Sequence, residues 1–339
     1  PATHTTPDAI RLNALLARMV AAGCTHALME VSSHAVVQHR TTALRFVGGI
    51  FTNLTHDHLD YHGTFDNYLK AKKGFFDALP KSAFALTNAD DKRGLVLLQN
   101  TVARRETYSL RSAATFRGKL LENAVHGLHL EVDGREAQFR LIGVFNAYNL
   151  LAVYGAAVLL GEDPREVLTI LSGLLSAPGR FEPVVSAKTG VTGIIDYAHT
   201  PDALENVLAT IADIRQPTQR VITVVGCGGN RDAAKRPVMA HLACQGSDHV
   251  VLTADNPRFE DPLVILAQMQ AGVNIQDQPK VAVIADRRAA IRAAVALAGP
   301  GDIVLVAGKG HETYQEAQGV RAEFDDKKVL QELFELLGK

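Results

Sequence analysis

The second half of the chain alternates between short apolar segments and amphipathic segments. We predict strands over residues 193–195, 221–225, 249–252, 281–284 and 303–306. Helices are predicted between them, beginning at Pro201, around Asp232, at Pro262 and around Arg288. Strands that alternate with helices pair in parallel, through right-handed crossovers. The pattern therefore predicts a Rossmann-like, doubly wound α/β sheet.

The first half repeats this alternation less regularly. Helices are predicted over 8–22, 68–79 and 147–160, and short buried strands over 26–31, 47–54 and 83–86. Residues 128–141 alternate around Asp133-Gly134, which predicts a β-hairpin. The run Ala177-Pro178-Gly179 interrupts the helical pattern. We therefore predict two α/β domains, residues 1–177 and 178–339.

Composition narrows the class of protein. The 339 residues suffice for about two domains, and 35 basic against 36 acidic side chains leave a net charge of -1. A nucleic-acid-binding protein usually carries a basic stripe, which this sequence lacks. No apolar run approaches the roughly 18 residues of a membrane span. The three cysteines lie far apart, as is usual in a reducing cytoplasm.

The sequence begins at Pro1, and the residues that follow look like the middle of a longer chain. We expect a fragment. A processed mature protein is the alternative.

Charged residues and glycines follow the predicted strands of the second half. Ligands bind at the carboxyl ends of parallel strands, so these loops are candidate binding loops. The glycine-rich run 226–229 precedes a helix, and its backbone amides suit an anion, although a tight turn without ligand explains it equally. It is not a dinucleotide fingerprint. Arg231 and Arg258 are each able to form a forked contact with a carboxylate.

A cluster of histidines and acids marks the first half. Glu30 ends a predicted strand, and His56, Asp57, His58, Asp60 and His62 follow another. Oxygen ligands favour magnesium, zinc is the alternative, and a polar loop without metal explains the run as well. Lys72 lies between Lys70 and Lys73 on a predicted helix, where a solvated lysine face is the plain interpretation.

These loops contain strings that resemble one family, the Mur ligases, along essentially the whole chain. The strings are E-V-S-S-H at 30–34, Q-H-R at 38–40, F-T-N-L-T-H-D-H-L-D-Y-H-G at 51–63, N-A-D-D at 88–91, D-Y-A-H-T-P-D at 196–202, G-C-G-G-N-R-D at 226–232, D-N-P-R at 255–258 and G-K-G-H-E at 308–312. The D-N-P-R form is similar to that of members that add meso-2,6-diaminopimelate, as opposed to L-lysine. The resemblance implies a central ATP-binding domain, here incomplete, followed by a Rossmann-like C-terminal domain.

The resemblance also implies roles for individual residues. The UDP-muramoyl dipeptide would be bound by Thr5, Thr6, Ser32, Gln38 and Arg40. Magnesium would be held by Glu30, His58 and Lys72, the last as a carbamate, and these three would serve catalysis. The nucleotide would contact Asn146, Asn149, Arg180 and Asp196. Diaminopimelate would be bound by Arg231, Asp255, Asn256, Pro257, Arg258, Gly308 and Glu312.

The implied activity is an ATP-dependent amide ligation in peptidoglycan synthesis, and through it a part in cell shape and division. The D-glutamyl carboxylate of UDP-N-acetylmuramoyl-L-alanyl-D-glutamate would be phosphorylated, and diaminopimelate would attack the acyl phosphate. Such an enzyme is expected to be a cytoplasmic monomer that uses Mg²⁺ and binds neither nucleic acid nor membrane.

One departure from the family's pattern matters. The phosphate-binding loop G-x-x-G-K-[ST] occurs nowhere in these residues. We therefore expect this polypeptide alone to hydrolyse no ATP and form no amide. Two other interpretations stay open: a non-catalytic module that binds an amino acid, and a ligase like folylpolyglutamate synthase, which the D-N-P-R and Q-H-R strings disfavour.

Overall fold

A computed structural model describes residues 6–54 and 59–339, with the side chains of the second range from residue 61 onward. The chain divides into two compact units. Unit 1 extends to Glu122 and includes Leu128–Phe139 and Val144–Gly173, and unit 2 is Asn123–Gly127, Arg140–Gly143 and Leu174–Lys339. The domain limits inferred from the sequence, 1–177 and 178–339, remain a prediction. Among the described residues, no helix has both the length and the apolar character that a bilayer crossing needs.

The first part of the chain forms a mixed sheet, in the strand order β1-β2-β3-β4-β5-β6. Strands β1 to β4 run parallel, and β5 and β6 form an antiparallel hairpin. The elements are α1 (Ala9–Ala21), α2 (Ser33–Val37), β1 (Gly48–Phe51), α3 (Leu59–His62), α4 (Phe65–Asp77), β2 (Phe84–Asn88), α5 (Gly94–Leu97), β3 (Arg104–Ser109), β4 (Phe116–Ala124), β5 (Gly127–Val132), β6 (Arg135–Phe139), α6 (Val144–Leu159) and α7 (Pro164–Ser172).

Of two predictions for this part, the hairpin over 128–141 is confirmed and the strand over 26–31 is wrong. The hairpin is confirmed, with Asp133 and Gly134 at φ 47° and 76°, the backbone that a two-residue turn requires. The buried strand over 26–31 is wrong: this segment has no regular structure, and Leu28 is 89% exposed. A strand is stabilised by pairing, and no described strand lies beside this segment.

The rest of the chain forms a second sheet in the order β11-β10-β9-β12-β8-β7, parallel except for the edge strand β7. The elements of this part are β7 (Glu182–Val185), β8 (Thr192–Asp196), α8 (Pro201–Ile214), β9 (Val221–Cys227), α9 (Lys235–Gly246), β10 (His249–Ala254), α10 (Pro262–Gln270), a 3-10 helix (Ile275–Lys280), β11 (Val281–Val283), α11 (Arg287–Leu297), β12 (Ile303–Ala307), β13 (Tyr314–Ala317), β14 (Val320–Glu323) and α12 (Asp326–Leu336). Strands β13 and β14 form a separate antiparallel hairpin.

The doubly wound sheet is confirmed, because the side chains of its strands enter two hydrophobic cores, one on each face of the sheet. Ile303 and Leu305 belong to the core beneath α8, α9 and α10, whereas Val304 and Val306 belong to the core beneath α11 and α12. Successive side chains of a strand point to opposite faces, so both faces of the sheet are covered. The predicted cap is also present, since Thr200 Oγ1 accepts a bond from Ala203 N at 3.3 Å. The helix predicted around Asp232 begins later, at Lys235.

A buried ion pair fixes the ends of two central strands. Arg287 and Asp326 are both 0% exposed and form two bonds, of 2.8 and 2.7 Å. Arg287 also donates to Ala307 O, at the end of β12, at 3.0 Å, and to Ala254 O, at the end of β10, at 3.4 Å. Burial alone lowers the pKa of Arg287, but the charge and hydrogen bonds of Asp326, together with the charges of Asp255 and Glu312, raise this pKa above its usual value.

We expect Asp326→Ala to lower the free energy of unfolding by about 3–5 kcal/mol, because it leaves the Arg287 charge buried without its counter-ion. The neighbouring Arg288 pairs with Glu332 at the surface, where both side chains are more than half exposed. The control Arg288→Ala should cost less than about 1 kcal/mol. Urea unfolding measures both values, and equal losses would contradict the structural role given to the buried pair.

Candidate functional site

The residues predicted to bind the UDP-muramoyl dipeptide are joined in unit 1. Thr6 Oγ1 donates to Glu30 O at 2.8 Å and accepts from Ser32 N at 3.4 Å. Ser32 in turn caps α2, where its Oγ accepts from Ala35 N at 3.1 Å. Thr5 lies outside the described residues. A buried threonine therefore fixes the main chain of both Glu30 and Ser32.

Arg40 connects the other two members of this set to Thr6. Its Nη1 donates to Thr6 O at 2.7 Å, and its Nε donates to Gln38 Oε1 at 2.9 Å. The amide nitrogen of Gln38 lies 3.3 Å from Tyr61 Oη. The structure thus brings together Thr6, Ser32, Gln38 and Arg40, which the sequence placed up to 34 positions apart.

The predicted metal ligands are described in part. Glu30 has an exposed side chain on a fixed main chain, and His56, Asp57 and His58 lie outside the described residues. Within the part of the chain that is described, no group of three or more metal-ligating side chains occurs. A carboxylate at Glu30 is a donor type that suits Mg²⁺.

Lys72 differs from the two lysines beside it. Lys70 is exposed, and Lys73, which is partly buried, donates to Asp77 at 2.6 Å on the same helix. Lys72 Nζ instead lies 5.4 Å from the ring centre of the buried Tyr68. Tyr68 stacks on His62, whose Nε2 lies 2.9 Å from Ser33 Oγ on α2. Lys72 therefore lies on the face of α4 towards α2, the helix that Ser32 caps. Ser32 belongs to the dipeptide cluster, which is the set Thr6, Ser32, Gln38 and Arg40.

The predicted diaminopimelate residues converge in unit 2, at the ends of β9, β10 and β12. Strand pairing aligns these ends, because Ala254 is opposite Cys227 and Ala307 is opposite Val225. Asp255 Oδ1 accepts from Asn256 N at 2.7 Å, whereas Asp255 Oδ2 is buried with no hydrogen-bond partner among the described residues. A side chain at Gly308 (φ 116°) would come within 2.7 Å of that oxygen.

Arg258 has a strained backbone and a partly occupied guanidinium. Its φ is 51°, a left-handed value that costs a non-glycine residue about 1–2 kcal/mol. Bonds from Arg258 N to Glu316 O (3.0 Å) and from Gln318 N to Arg258 O (2.6 Å) hold it against the β13–β14 hairpin. Its Nη1 donates to Gly229 O at 2.9 Å, which leaves most of its five donors for other partners.

The glycine-rich loop is interlocked with the loop that contains Pro257. Gly229 N donates to Asn256 O at 2.9 Å, and a side chain at Gly229 would come within 2.0 Å of Pro257 O. Arg231, by contrast, is exposed on this loop. Burial raises the pKa of the Cys227 thiol to about 11, so it is protonated and unreactive at neutral pH.

Two buried cations support this site, and the sequence analysis missed both. Arg236 is 1% exposed and binds both carboxylate oxygens of Glu260 at 2.9 Å, as well as Gly228 O at 3.3 Å. Lys309 is 0% exposed and donates to Asn256 and Glu312. The only available signal for Lys309 was its position inside the G-K-G-H-E string.

The residues predicted to contact the nucleotide fall into two groups. In unit 2, Asp196 accepts from Phe181 N at 2.7 Å and from Ala198 N at 2.8 Å, which anchors the loop that carries Arg180. Arg180 lies 5.1 Å from the ring centre of Tyr197. Burial raises the pKa of Asp196, although the two backbone bonds oppose it. The contact between Arg180 and the Tyr197 ring was not predicted from the sequence, although Tyr197 belongs to the D-Y-A-H string.

In unit 1, the second group lies in the first turns of α6. Asn149 Nδ2 donates to Asn146 Oδ1 at 3.1 Å. Between them, Tyr148 Oη donates to Asp90 Oδ2 at 2.9 Å, and Asp90 also accepts from Ser109 Oγ at 2.7 Å. The N-A-D-D string thus anchors the start of α6, which positions both asparagines.

The loop that carries Arg180 requires a glycine at position 179, because another loop approaches it closely. Gly179 (φ 67°) accepts from Tyr197 N at 2.9 Å, and a side chain on it would come within 2.1 Å of His311 N. We expect Gly179→Ala to separate these loops and to lower the free energy of unfolding by more than Gly190→Ala. Gly190 is the matched control, because its φ is 68° and a side chain there meets nothing within 4 Å. Urea unfolding of both variants is the measurement, and equal losses would show that the close approach is unimportant.

Comparisons with known proteins agree on one family. The family models of the Mur ligase middle domain and the Mur ligase glutamate ligase domain match residues 1–157 and 179–310. A protein of Cytophaga hutchinsonii named UDP-N-acetylmuramoyl-L-alanyl-D-glutamate–2,6-diaminopimelate ligase is 63% identical over 338 residues, which are 100% of this chain and 69% of that relative.

Solved structures give the same result. A structure of a ligase with that name is 36% identical, covers 99% of this chain and 70% of its own, and has a TM-score of 0.71. Folylpolyglutamate synthase from Thermotoga maritima is 15% identical, covers 77% of this chain and 57% of its own with a TM-score of 0.60, and so shares the fold alone. On the strength of the two matched domains and the long, highly identical relative, the chain belongs to the Mur ligase family.

Proposed function

We propose that this chain serves an ATP-dependent ligase that joins meso-2,6-diaminopimelate to UDP-N-acetylmuramoyl-L-alanyl-D-glutamate in peptidoglycan synthesis. Three relatives that are 58–63% identical over 98–100% of the chain are named as ligases of UDP-N-acetylmuramoyl-L-alanyl-D-glutamate and 2,6-diaminopimelate. The observation that carries the proposal from the structure is the amino-acid pocket at the ends of β9, β10 and β12. It contains a buried carboxylate oxygen without a described partner, and an arginine whose side chain makes one hydrogen bond to the described residues.

The pocket chemistry fits a molecule with an amino-acid group at each end. Asp255 Oδ2 and Glu312 are acceptors for an ammonium group, and Arg258 is a donor for a carboxylate. L-Lysine has the same chain length but lacks the carboxylate at the far end. A site that leaves the partly buried Arg258 guanidinium without a carboxylate partner would favour diaminopimelate over lysine.

We propose a reaction in two steps. The γ-phosphoryl group of ATP passes to an oxygen of the D-glutamyl carboxylate, which gives an acyl phosphate and ADP. The neutral amine of diaminopimelate then attacks the acyl carbon, the C–N bond forms, phosphate leaves with the C–O bond electrons, and the amine loses a proton. Such chemistry depends mainly on position and charge neutralisation.

Magnesium would be held by Glu30, His58 and a carbamate on Lys72, and when bound it would neutralise phosphate charge. The carbamate forms when the neutral Lys72 amine adds to CO₂ and releases one proton. The exposed carboxylate of Glu30 supports this role, since it is a ligand type that suits Mg²⁺. Asn146, Asn149, Arg180 and Asp196 are proposed to position the nucleotide, and the dipeptide cluster to bind the UDP-linked substrate. The enzyme is proposed to be a cytoplasmic monomer.

The decisive assay uses protein expressed from the full reading frame that contains these residues. Phosphate release should require ATP, Mg²⁺, the UDP-dipeptide and diaminopimelate together, and L-lysine should replace diaminopimelate poorly. Phosphate release that does not depend on diaminopimelate would overturn the proposal. The 339-residue polypeptide, which lacks a G-x-x-G-K-[ST] string, should release no phosphate in the same mixture.

A non-catalytic amino-acid-binding module is the second candidate, because all the residues predicted to bind diaminopimelate lie in unit 2. Calorimetry on the 339-residue polypeptide tests whether it binds diaminopimelate. The DNA sequence upstream of the Pro1 codon separates the two candidates. An in-frame phosphate loop there supports the ligase. Its absence, with diaminopimelate bound and no turnover, supports the module.

A further inference from the structure

Lys309 is a buried cation with no role in the proposed reaction. It follows β12 directly, its side chain is 0% exposed, and its Nζ lies 5.5 Å from the ring centre of Tyr314. Nζ donates to Asn256 Oδ1 at 3.0 Å and to Glu312 Oε2 at 3.2 Å. Burying a lysine is costly unless its charge and hydrogen bonds are satisfied, so a cation at this position needs a reason.

The Lys309 ammonium determines which way the Asn256 amide faces. Asn256 Oδ1 is bound by two groups that can only donate, Lys309 Nζ at 3.0 Å and Glu316 N at 2.9 Å. A reversed amide would set its NH₂ group against both donors. Asn256 Nδ2 therefore faces Glu312 Oε2, to which it donates at 2.8 Å.

Glu312 is fixed by the same contacts at one oxygen only. Its Oε2 accepts from both Lys309 and Asn256, whereas its Oε1 has no hydrogen bond to any residue in the described ranges. The Glu312 side chain is 17% exposed, so it lies at the edge of the buried network. One carboxylate oxygen is thus held in place and the other is left to accept.

We infer that Lys309 is a positioning residue for substrate recognition: it holds Asn256 and Glu312 so that Glu312 Oε1 receives an ammonium group of the diamino acid. This inference rests on the proposed function. A purely structural role predicts a different outcome: the loss of one partner from a buried ion pair destabilises the fold, and the three KM values then change together.

Two effects of removing Lys309 act in opposite directions. The loss frees Glu312 to turn into solvent, which weakens ammonium binding. It also makes the pocket more negative, which strengthens the long-range electrostatic attraction of an ammonium group to the pocket. We expect the lost orientation of Glu312 to have the larger effect. A fixed acceptor is desolvated and directed at its ligand, whereas an added charge near the surface is screened by water.

The test is Lys309→Met in the protein from the full reading frame, with Lys327→Met as control. Lys327 pairs with Glu182 at 2.6 Å in the same unit, and its side chain is 43% exposed. For Lys309→Met we expect the KM for diaminopimelate to rise at least tenfold, with the KM values for ATP and the UDP-dipeptide within about twofold of wild type. The control should change none of the three.

Each other outcome is also informative. An unchanged or lower KM for diaminopimelate overturns the inference, as does a parallel rise in all three KM values. If Lys309→Met fails to fold, the same comparison is made with Lys309→Arg, whose wider head group keeps the charge but displaces Glu312. That variant should also raise only the KM for diaminopimelate, and an unchanged value overturns the inference. A wild-type enzyme that does not use diaminopimelate refutes the proposed function instead.

Discussion

Arg258→Asn is expected to lower kcat/KM for diaminopimelate by about 100-fold or more in the protein from the full reading frame. The reason is that a substrate carboxylate left without its charged partner in a desolvated pocket loses roughly 2–5 kcal/mol. Asparagine is chosen because the backbone here has φ 51°, and asparagine tolerates this left-handed region better than alanine. The substitution removes the guanidinium with little added strain.

Steady-state kinetics with diaminopimelate and with L-lysine provides the measurement. Low activity with lysine should be unchanged or improved, because the unpaired charge that rejects it is gone. Arg288→Asn is the control, since Arg288 is a surface residue paired with Glu332. Arg258 also binds Gly229 O, so urea unfolding is needed to exclude a collapsed loop. A kcat/KM for diaminopimelate within about threefold of wild type would remove Arg258 from the substrate site.

Lys72→Ala should reduce turnover by about 1,000-fold or more, because phosphoryl transfer depends strongly on each group that positions or neutralises the phosphates. If the required group is a carbamate, a short-chain carboxylic acid should restore part of the activity. Bicarbonate should not, because alanine has no amine to carbamylate. The measurement is phosphate release with and without each additive.

Lys70→Ala and Lys73→Ala are matched controls on the same helix. Lys70 is exposed and Lys73 is paired with Asp77, so both variants should retain nearly full turnover. Full activity of Lys72→Ala without any additive would refute the carbamate. Inactivity that no small acid relieves would leave Lys72 essential for a reason other than a carboxylate.

Several features of the fold could be predicted because they depend on few neighbouring residues. Asp133-Gly134 specifies a tight hairpin turn through its backbone preferences, and Thr200-Pro201 specifies a helix start through a cap. The alternation after residue 190 specified parallel pairing and two covered faces. The prediction over 26–31 was wrong because an apolar run identifies a strand only if a partner strand is present.

The candidate site was predictable as a set of loops but not as a set of contacts. The strings 255–258 and 308–312 pointed to a pocket, and the structure joins them through Asn256 and Glu312. Lys309 appeared only as part of a string and Arg236 was not singled out at all, yet both are buried cations. Nothing local distinguishes a buried lysine from a solvated one, since burial depends on residues that are distant in the chain.

By itself, the sequence determined the two α/β layers, the parallel pairing of five strands in the second sheet and the family to which the chain belongs. These follow from periodicity, turn chemistry and strings of residues, all of which are local properties. Only the tertiary structure decided which oxygen of Asp255 lacks a described partner, which way the Asn256 amide faces and why Arg258 adopts its strained backbone. Those are long-range properties, because hydrogen bonds and desolvation are set by groups that folding brings together from separate strands.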